Sequence, residues 1–129
     1  MSLKHTADIN SRQFGFKQEV RVCQHLQQQG LVLAVRNYSC RQGEIDLIMI
    51  ESGQFLVFLE IRFRSQERYG GAIASVTYHK QRKIRLAAAH FLATHPKFTH
   101  FACRFDVVGV SNGASAGLLQ FEWIRNAFQ

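Results

Sequence analysis

Three acidic residues stand where the chain otherwise prepares to bury a sheet. Glu44, Asp46 and Glu60 lie within or at the end of the apolar runs of GEIDLIMIESGQFLVFLEIRFR, Gly43 to Arg64. The runs flank a short polar turn at Ser52-Gly53, so the stretch reads as a β-hairpin with strands at about 44–50 and 55–63. Strand side chains alternate between faces. One face then carries Glu44, Asp46, Ile48 and Ile50 beside Leu56, Phe58, Glu60 and Arg62. The other, with Ile45, Leu47, Met49, Val57, Leu59 and Ile61, is apolar throughout and must pack under a helix. With an odd number of loop residues, Ile48 faces Phe58, Asp46 faces Glu60 and Glu44 faces Arg62.

Carboxylates directly across an antiparallel pair lie ~5 Å apart at Cβ. They repel, and burial sharpens the repulsion. Two arrangements relieve it. A hard divalent cation such as Mg²⁺ takes one or two carboxylates together with substrate phosphate. Alternatively, Arg62 satisfies Glu44 or Glu60 in a structural ion pair. Glu19 adds a further acid, because it falls on the same helical stripe as Gly15, Val22, Cys23 and Leu26. A charge on a core-facing stripe needs a partner or an escape to its edge.

The elements that must position these groups follow from periodicity and turn chemistry. Residues 1–10 are polar and expected to be flexible. A helix is expected from Ser11, as N-cap, to Gln29, with Gly30 as its stop. LVLAV (31–35) reads as a strand and 36–43 as a polar connection to the hairpin. Residues 64–76 read as a loop. A second helix spans 77–94, capped by Thr77 and stopped before Pro96, with Gln81, Ile84, Ala88 and Phe91 as its buried stripe. Strands at 103–110 and 118–124 follow, separated by the loop 111–117, and a short helical tail ends the chain. The order αβββαββ with a short C-terminal helix predicts a single α/β domain over 11–129, a mixed β-sheet flanked by helices.

Composition narrows the partner. Sixteen Lys and Arg against nine Asp and Glu give a net charge of +7, and the pI is near 9.8. That balance suits a polyanion such as nucleic acid. Cys23, Cys40 and Cys103 are too widely spaced for a CxxC site and read as reduced thiols of a cytoplasmic protein. The opening MSLKHTADIN lacks the apolar core of a signal peptide, and no run approaches the ~20 apolar residues of a membrane span. No membrane association is expected, and a homodimer is compatible with this reading. The six histidines form no ligand pair beside the acids. Asp106 reads as a structural hydrogen-bond or ion-pair group, and Trp123 as a packing residue.

Gly15-x-x-x-Glu19, Gly43-Glu44-Ile45-Asp46-Leu47-Ile48 and Phe58-Leu59-Glu60-Ile61-Arg62 together resemble the YraN-like family of small bacterial proteins. The likeness continues through Tyr69-Gly70-Gly71-Ala72, Lys80-Gln81, Arg104-Phe105-Asp106-Val107-Val108 and Glu122-Trp123-Ile124, spanning about residues 11–128. It implies a restriction-endonuclease-like fold similar to archaeal Holliday-junction resolvases. The nuclease pattern is a helix acid, a strand Asp, then Glu-x-Lys on the next strand. Carried over, it implies catalytic roles for Glu19, Asp46, Glu60 and Arg62, with Asp46 and Glu60 holding Mg²⁺ or Mn²⁺. Glu44 and Gln81 would stand behind them. Arg62, Arg64, Arg68, Lys80 and Lys83 would follow the phosphates of the nucleic acid.

One position departs from the pattern: Arg62 stands where lysine is expected. A guanidinium stays protonated and cannot serve as a base, although it still stabilises phosphate charge. The resemblance therefore implies a divalent-metal-dependent endonuclease acting on DNA, branched DNA included. Arg62 favours the rival reading, a non-catalytic nucleic-acid-binding or protein-docking module of the same fold.

Overall fold

A computed structural model describes residues 17–63, 71–113 and 118–129. Helix α1 is described over residues 17–28. It leads into strands β1 (Leu31–Cys40), β2 (Gly43–Glu51) and β3 (Phe55–Phe63). A short helix α2 (Gly71–Ala74), the long helix α3 (Tyr78–Thr94) and strands β4 (Ala102–Asn112) and β5 (Leu119–Phe128) complete the chain. The sheet has five strands in the order β1-β2-β3-β4-β5. Only β3 and β4 run parallel; the other neighbours are antiparallel. A parallel neighbour needs a crossover, and α3 lies within that connection.

Helices cover both faces of the sheet, as its two apolar faces require. On one side Val22, Cys23 and Leu26 of α1 pack over Leu47, Met49, Val57, Leu59, Ile61 and Val108. On the other, Ile84, Ala87, Ala88 and Phe91 of α3 pack over Ile48, Leu56, Phe58 and Val107. Thr77 caps α3 by accepting a hydrogen bond from the Lys80 amide at 3.2 Å, a contact worth about 1 kcal/mol. Among the described residues no helix is long and apolar enough to cross a membrane.

The hairpin keeps the expected register. The loop between Glu51 and Phe55 has three residues, and Ile48 lies opposite Phe58. The ladder nevertheless ends at Leu47–Leu59, so the expected pairing of Asp46 with Glu60 and of Glu44 with Arg62 is not made by backbone. Ile45 joins the α3-side core instead of the face of Leu47 and Met49. Residues 45 and 48 share a face only if strict alternation fails between them. Across the ladder, between the Arg36–Leu47 and Tyr38–Ile45 pairs, Asn37 has φ 54°. Asparagine is among the few residues that adopt this left-handed conformation readily.

Other expectations are corrected in the same terms. β1 continues to Cys40, leaving only Arg41 and Gln42 as its turn into β2, where a long polar connection was expected. An edge strand can afford polar outward residues, so its polarity hid it. Within the expected loop 64–76, residues 71–74 form α2. The chain ends on β5, which runs to Phe128 where a helical tail was expected; Phe128 stacks on Phe105 at 5.1 Å. The expected cap at Ser11, the flexible segment 1–10, Gly15, Arg64 and Arg68 lie outside the described residues.

Asp106 closes the far side of the sheet and is fully buried. Arg104 donates to it from Nε and Nη2, and Trp123 Nε1 and the Asn126 amide donate as well, each at 2.9 Å. Arg104 also donates to Glu51 at 2.9 Å, and Arg125 approaches the same carboxylate at 3.3 Å. The acid of the RFDVV segment and the tryptophan of the EWI segment are thus parts of one structural network. Asp106→Asn breaks a buried, charge-assisted pair and is expected to remove about 3–5 kcal/mol of stability. Urea unfolding measures it; a loss within error of zero would mean that the network contributes nothing.

Candidate functional site

Asp46 stands where β2 and β3 separate. Its Oδ2 accepts a hydrogen bond from the Ile61 amide at 2.7 Å, so a side chain takes up a donor that the β2–β3 ladder leaves open. This pins the carboxylate beneath the rim of the sheet. The Glu60 side chain reaches the same place and shares a hydrogen bond with Asp46. Two carboxyl groups can do so only if the pair keeps a proton. Burial, then the negative charge of Asp46, push Glu60 up to about 8. Burial also raises Asp46, against the pull of the Ile61 amide.

Glu19 comes to the pair from the other side of the sheet. Burial and the field of Asp46 raise its pKa, while the Asn37 side chain donates a hydrogen bond to its carboxylate. Asn37 thus joins α1 to the irregularity in β1 opposite Asp46. Sequence reasoning missed it; the available signal was an asparagine, tolerant of positive φ, set among strand-forming residues.

A cleft of about 440 Å³ opens on the pair. Glu44, Asp46 and Glu60 lie on its lining together with Lys80, Lys83 and Ile84 of α3 and the β1–β2 turn, Arg41 and Gln42. Gly43 lets the turn lean on the helix. A Cβ there would fall 2.9 Å from the Lys83 carbonyl oxygen, too close for any side chain.

Arg62 is turned elsewhere. Its Nε donates to Ser75 Oγ at 3.0 Å, and that hydroxyl donates to the Ala72 carbonyl at 2.6 Å. Its Nη1 lies 3.9 Å from Glu60 Oε1, with the arginine side chain 23% exposed. The guanidinium is therefore held between α2 and the acid pair. Gln81 donates to the Val76 carbonyl at 3.1 Å and braces the start of α3. Of the expected phosphate contacts, Lys80 and Lys83 face the cleft, Arg62 is engaged as described, and Arg64 and Arg68 lie outside the described residues.

The donor chemistry at the floor is all oxygen, which suits a hard cation such as Mg²⁺ or Mn²⁺. Asp46 and Glu60 are the pair that could hold it. Among the described residues no group of three or more His, Cys, Asp or Glu side chains is arranged to hold a metal ion. Water or a substrate oxygen would have to complete the coordination, as is common for Mg²⁺.

The profile of the Uncharacterised protein family UPF0102 matches residues 18–110. A UPF0102 protein of Alcanivorax borkumensis is 50% identical over 110 residues, covering 85% of this chain and 86% of that protein. One from Saccharophagus degradans is 49% identical over 114 residues, 88% of this chain and 91% of its own length. One from Cupriavidus necator is 45% identical over 128 residues, 98% and 92% of the two chains.

The shared proton has a measurable consequence. Glu60 is raised from 4.5 to about 8, so the folded state binds more protons than the unfolded chain between those values. Stability contributed by that proton is present at low pH and is lost as pH rises toward 8. In chelator, Glu60→Gln should match wild type near pH 5 and melt higher near pH 9, by about 4 °C for each kcal/mol of relief. Parallel melting profiles across that range would show that the two carboxyl groups do not share a proton.

Proposed function

The chain belongs to the uncharacterised protein family UPF0102, and we propose that it is a divalent-metal-dependent endonuclease acting on DNA, with branched DNA among its substrates. The observation that carries this reading is the Asp46–Glu60 pair, two acids kept together below the surface and opening onto a cleft with lysines on its wall. A purely structural acid is paired as Asp106 is, with a guanidinium, an indole and a backbone amide. Asp46 and Glu60 are instead held against each other, an arrangement that favours a divalent ion over a proton at higher pH.

Asp46 and Glu60 would hold Mg²⁺ or Mn²⁺, and Glu19 would add negative charge beside them. When bound, the ion supplies Lewis acidity and neutralises charge on a phosphodiester. The chain's own groups do the rest. The Ile61 amide fixes the Asp46 carboxylate. Arg62, pinned by Ser75, limits the movement of Glu60. The helix acid, the strand Asp and Glu60-x-Arg62 stand in the order of the restriction-endonuclease-like pattern, and the five-stranded mixed sheet between helices suits that fold.

One observation favours a second reading, a module of the same fold that binds nucleic acid or docks a protein without cutting. Arg62 occupies the lysine position of the pattern and is committed to Ser75 and Glu60. Cleavage of linear duplex, single-stranded and four-way-junction DNA with Mg²⁺ or Mn²⁺ separates the two. Under the first reading wild type cuts at least one substrate, and Asp46→Asn and Glu19→Gln each lose on the order of 100-fold or more in rate while remaining folded. Calorimetric titration of Mn²⁺ should show a site in wild type that Asp46→Asn lacks. Binding of DNA without cleavage under every condition would assign the second reading, and equal weak Mn²⁺ binding by both proteins would remove the metal.

A further inference from the structure

We propose that Lys80, Lys83 and Arg41 form a phosphate-binding cradle for a nucleic-acid strand passing between the β1–β2 turn and helix α3, with Lys80 at its acid end. The inference rests on the proposed function and deepens it. It gives the strand a path and supplies, from a helix, the ammonium group that strand β3 lacks.

Three observations lead to it. First, the arginine in the lysine position is not a free cation. Ser75 and Glu60 hold Arg62, and it does not line the cleft. Second, Lys80 does line the cleft, together with Asp46 and Glu60, and its charge eases the ionisation of Glu60. The capping contact from Lys80 N to Thr77 and the brace from Gln81 to Val76 fix the helix turn from which its side chain extends. The first turn of α3 has no acidic residue, although an acid there would suit the helix dipole. His79 and Lys80 occupy it instead, a choice that an incoming anion would offset.

Third, Arg41 comes to the same wall through a feature that has no other evident use. Cys40 and Gly43 pair across a two-residue turn, and Gly43 presses against the backbone of Lys83. Arg41 is thereby carried to the rim of the cleft beside Lys83. Both side chains are exposed, and among the described residues neither forms an ion pair. Acids on the floor and three cations on the rim suit a phosphodiester chain better than a free carboxylate or an apolar ligand. Lys83 follows Lys80 by three residues, which places the two on one helix face.

The test measures binding of a labelled DNA single strand, and of a duplex of the same sequence, across a salt series in chelator. Lys97→Ala, in the turn beyond the far end of α3, serves as a control for charge alone. Arg41→Ala, Lys83→Ala and Lys80→Ala should each reduce the log–log salt slope by roughly 0.7 on the single strand or 0.9 on the duplex. Each should weaken binding at low salt by about threefold to tenfold, the usual scale of one phosphate contact over such a salt range. The control should keep the wild-type slope. In single-turnover cleavage at saturating protein, Lys80→Ala should fall on the order of 100-fold.

Slopes for all three variants equal to wild type overturn the proposal, as does a Lys97→Ala slope reduced as much as theirs. Lys80→Ala cutting at the wild-type rate removes Lys80 from the acid end. If wild type binds DNA and cuts nothing, reduced slopes still support the cradle and only the hydrolytic reading falls. A wild type that neither binds nor cuts any nucleic acid overturns both.

Discussion

The hydrogen bond from the Ile61 amide to the Asp46 carboxylate is the contact on which the shape of this molecule turns. Up to Leu47–Leu59 the central hairpin is an ordinary ladder; beyond it, a side chain answers a backbone donor and the strands part. Three features accompany the opening. Ile45 lies on the α3 side of the sheet, Asn37 across the ladder has a positive φ, and Glu60, paired with Val107 on its β4 side, stands beside a carboxylate where β2 has parted. An acid inside an apolar run thus has a structural reason to be there, because a buried amide must be satisfied. It also has a chemical consequence, because the second acid cannot ionise freely.

The contrast with Asp106 shows what a neighbour does to a carboxylate. Asp106 and Asp46 both lie in sheet strands and both accept a backbone amide. Asp106 receives a bidentate guanidinium and an indole as well, which satisfies its charge and locks β5 onto β4. Asp46 receives Glu60, which satisfies its hydrogen-bonding capacity and concentrates negative charge. Arg62 approaches Glu60 only at 3.9 Å and spends its closer bond on Ser75. Two arginines next to acids therefore have different meanings: one completes a structural network near the turn end of the hairpin, and the other restrains an incompletely compensated pair at its open end.

The helices add to this difference by what they bring to each face. α1 supplies apolar cover and, at its described start, Glu19. α3 supplies apolar cover and, on the edge of its packed stripe, Lys80 and Lys83. Acid and base arrive from opposite layers and meet where the central strands diverge. The close approach of Gly43 to Lys83 sets how near the β1–β2 turn stands to that meeting point.

Local chemistry carried a definite part of this. The odd loop length placed Ile48 opposite Phe58, Thr77 announced the start of α3, and the stripe through Val22, Cys23 and Leu26 put Glu19 on a core-facing helix. The acids were legible because polar groups inside apolar runs break a period. Tertiary structure alone decided the rest. The pairing of β3 with β4, the extension of β1 to Cys40 and of β5 to Phe128, the partners of Arg62 and Asn37, and the place of Arg41 on the cleft wall all depend on residues distant in sequence. Periodicity reports which face of an element is buried, and turn residues report where it stops. Neither records which carboxylate will stand beside an amide left open by a broken ladder, because that depends on how separately formed layers come together.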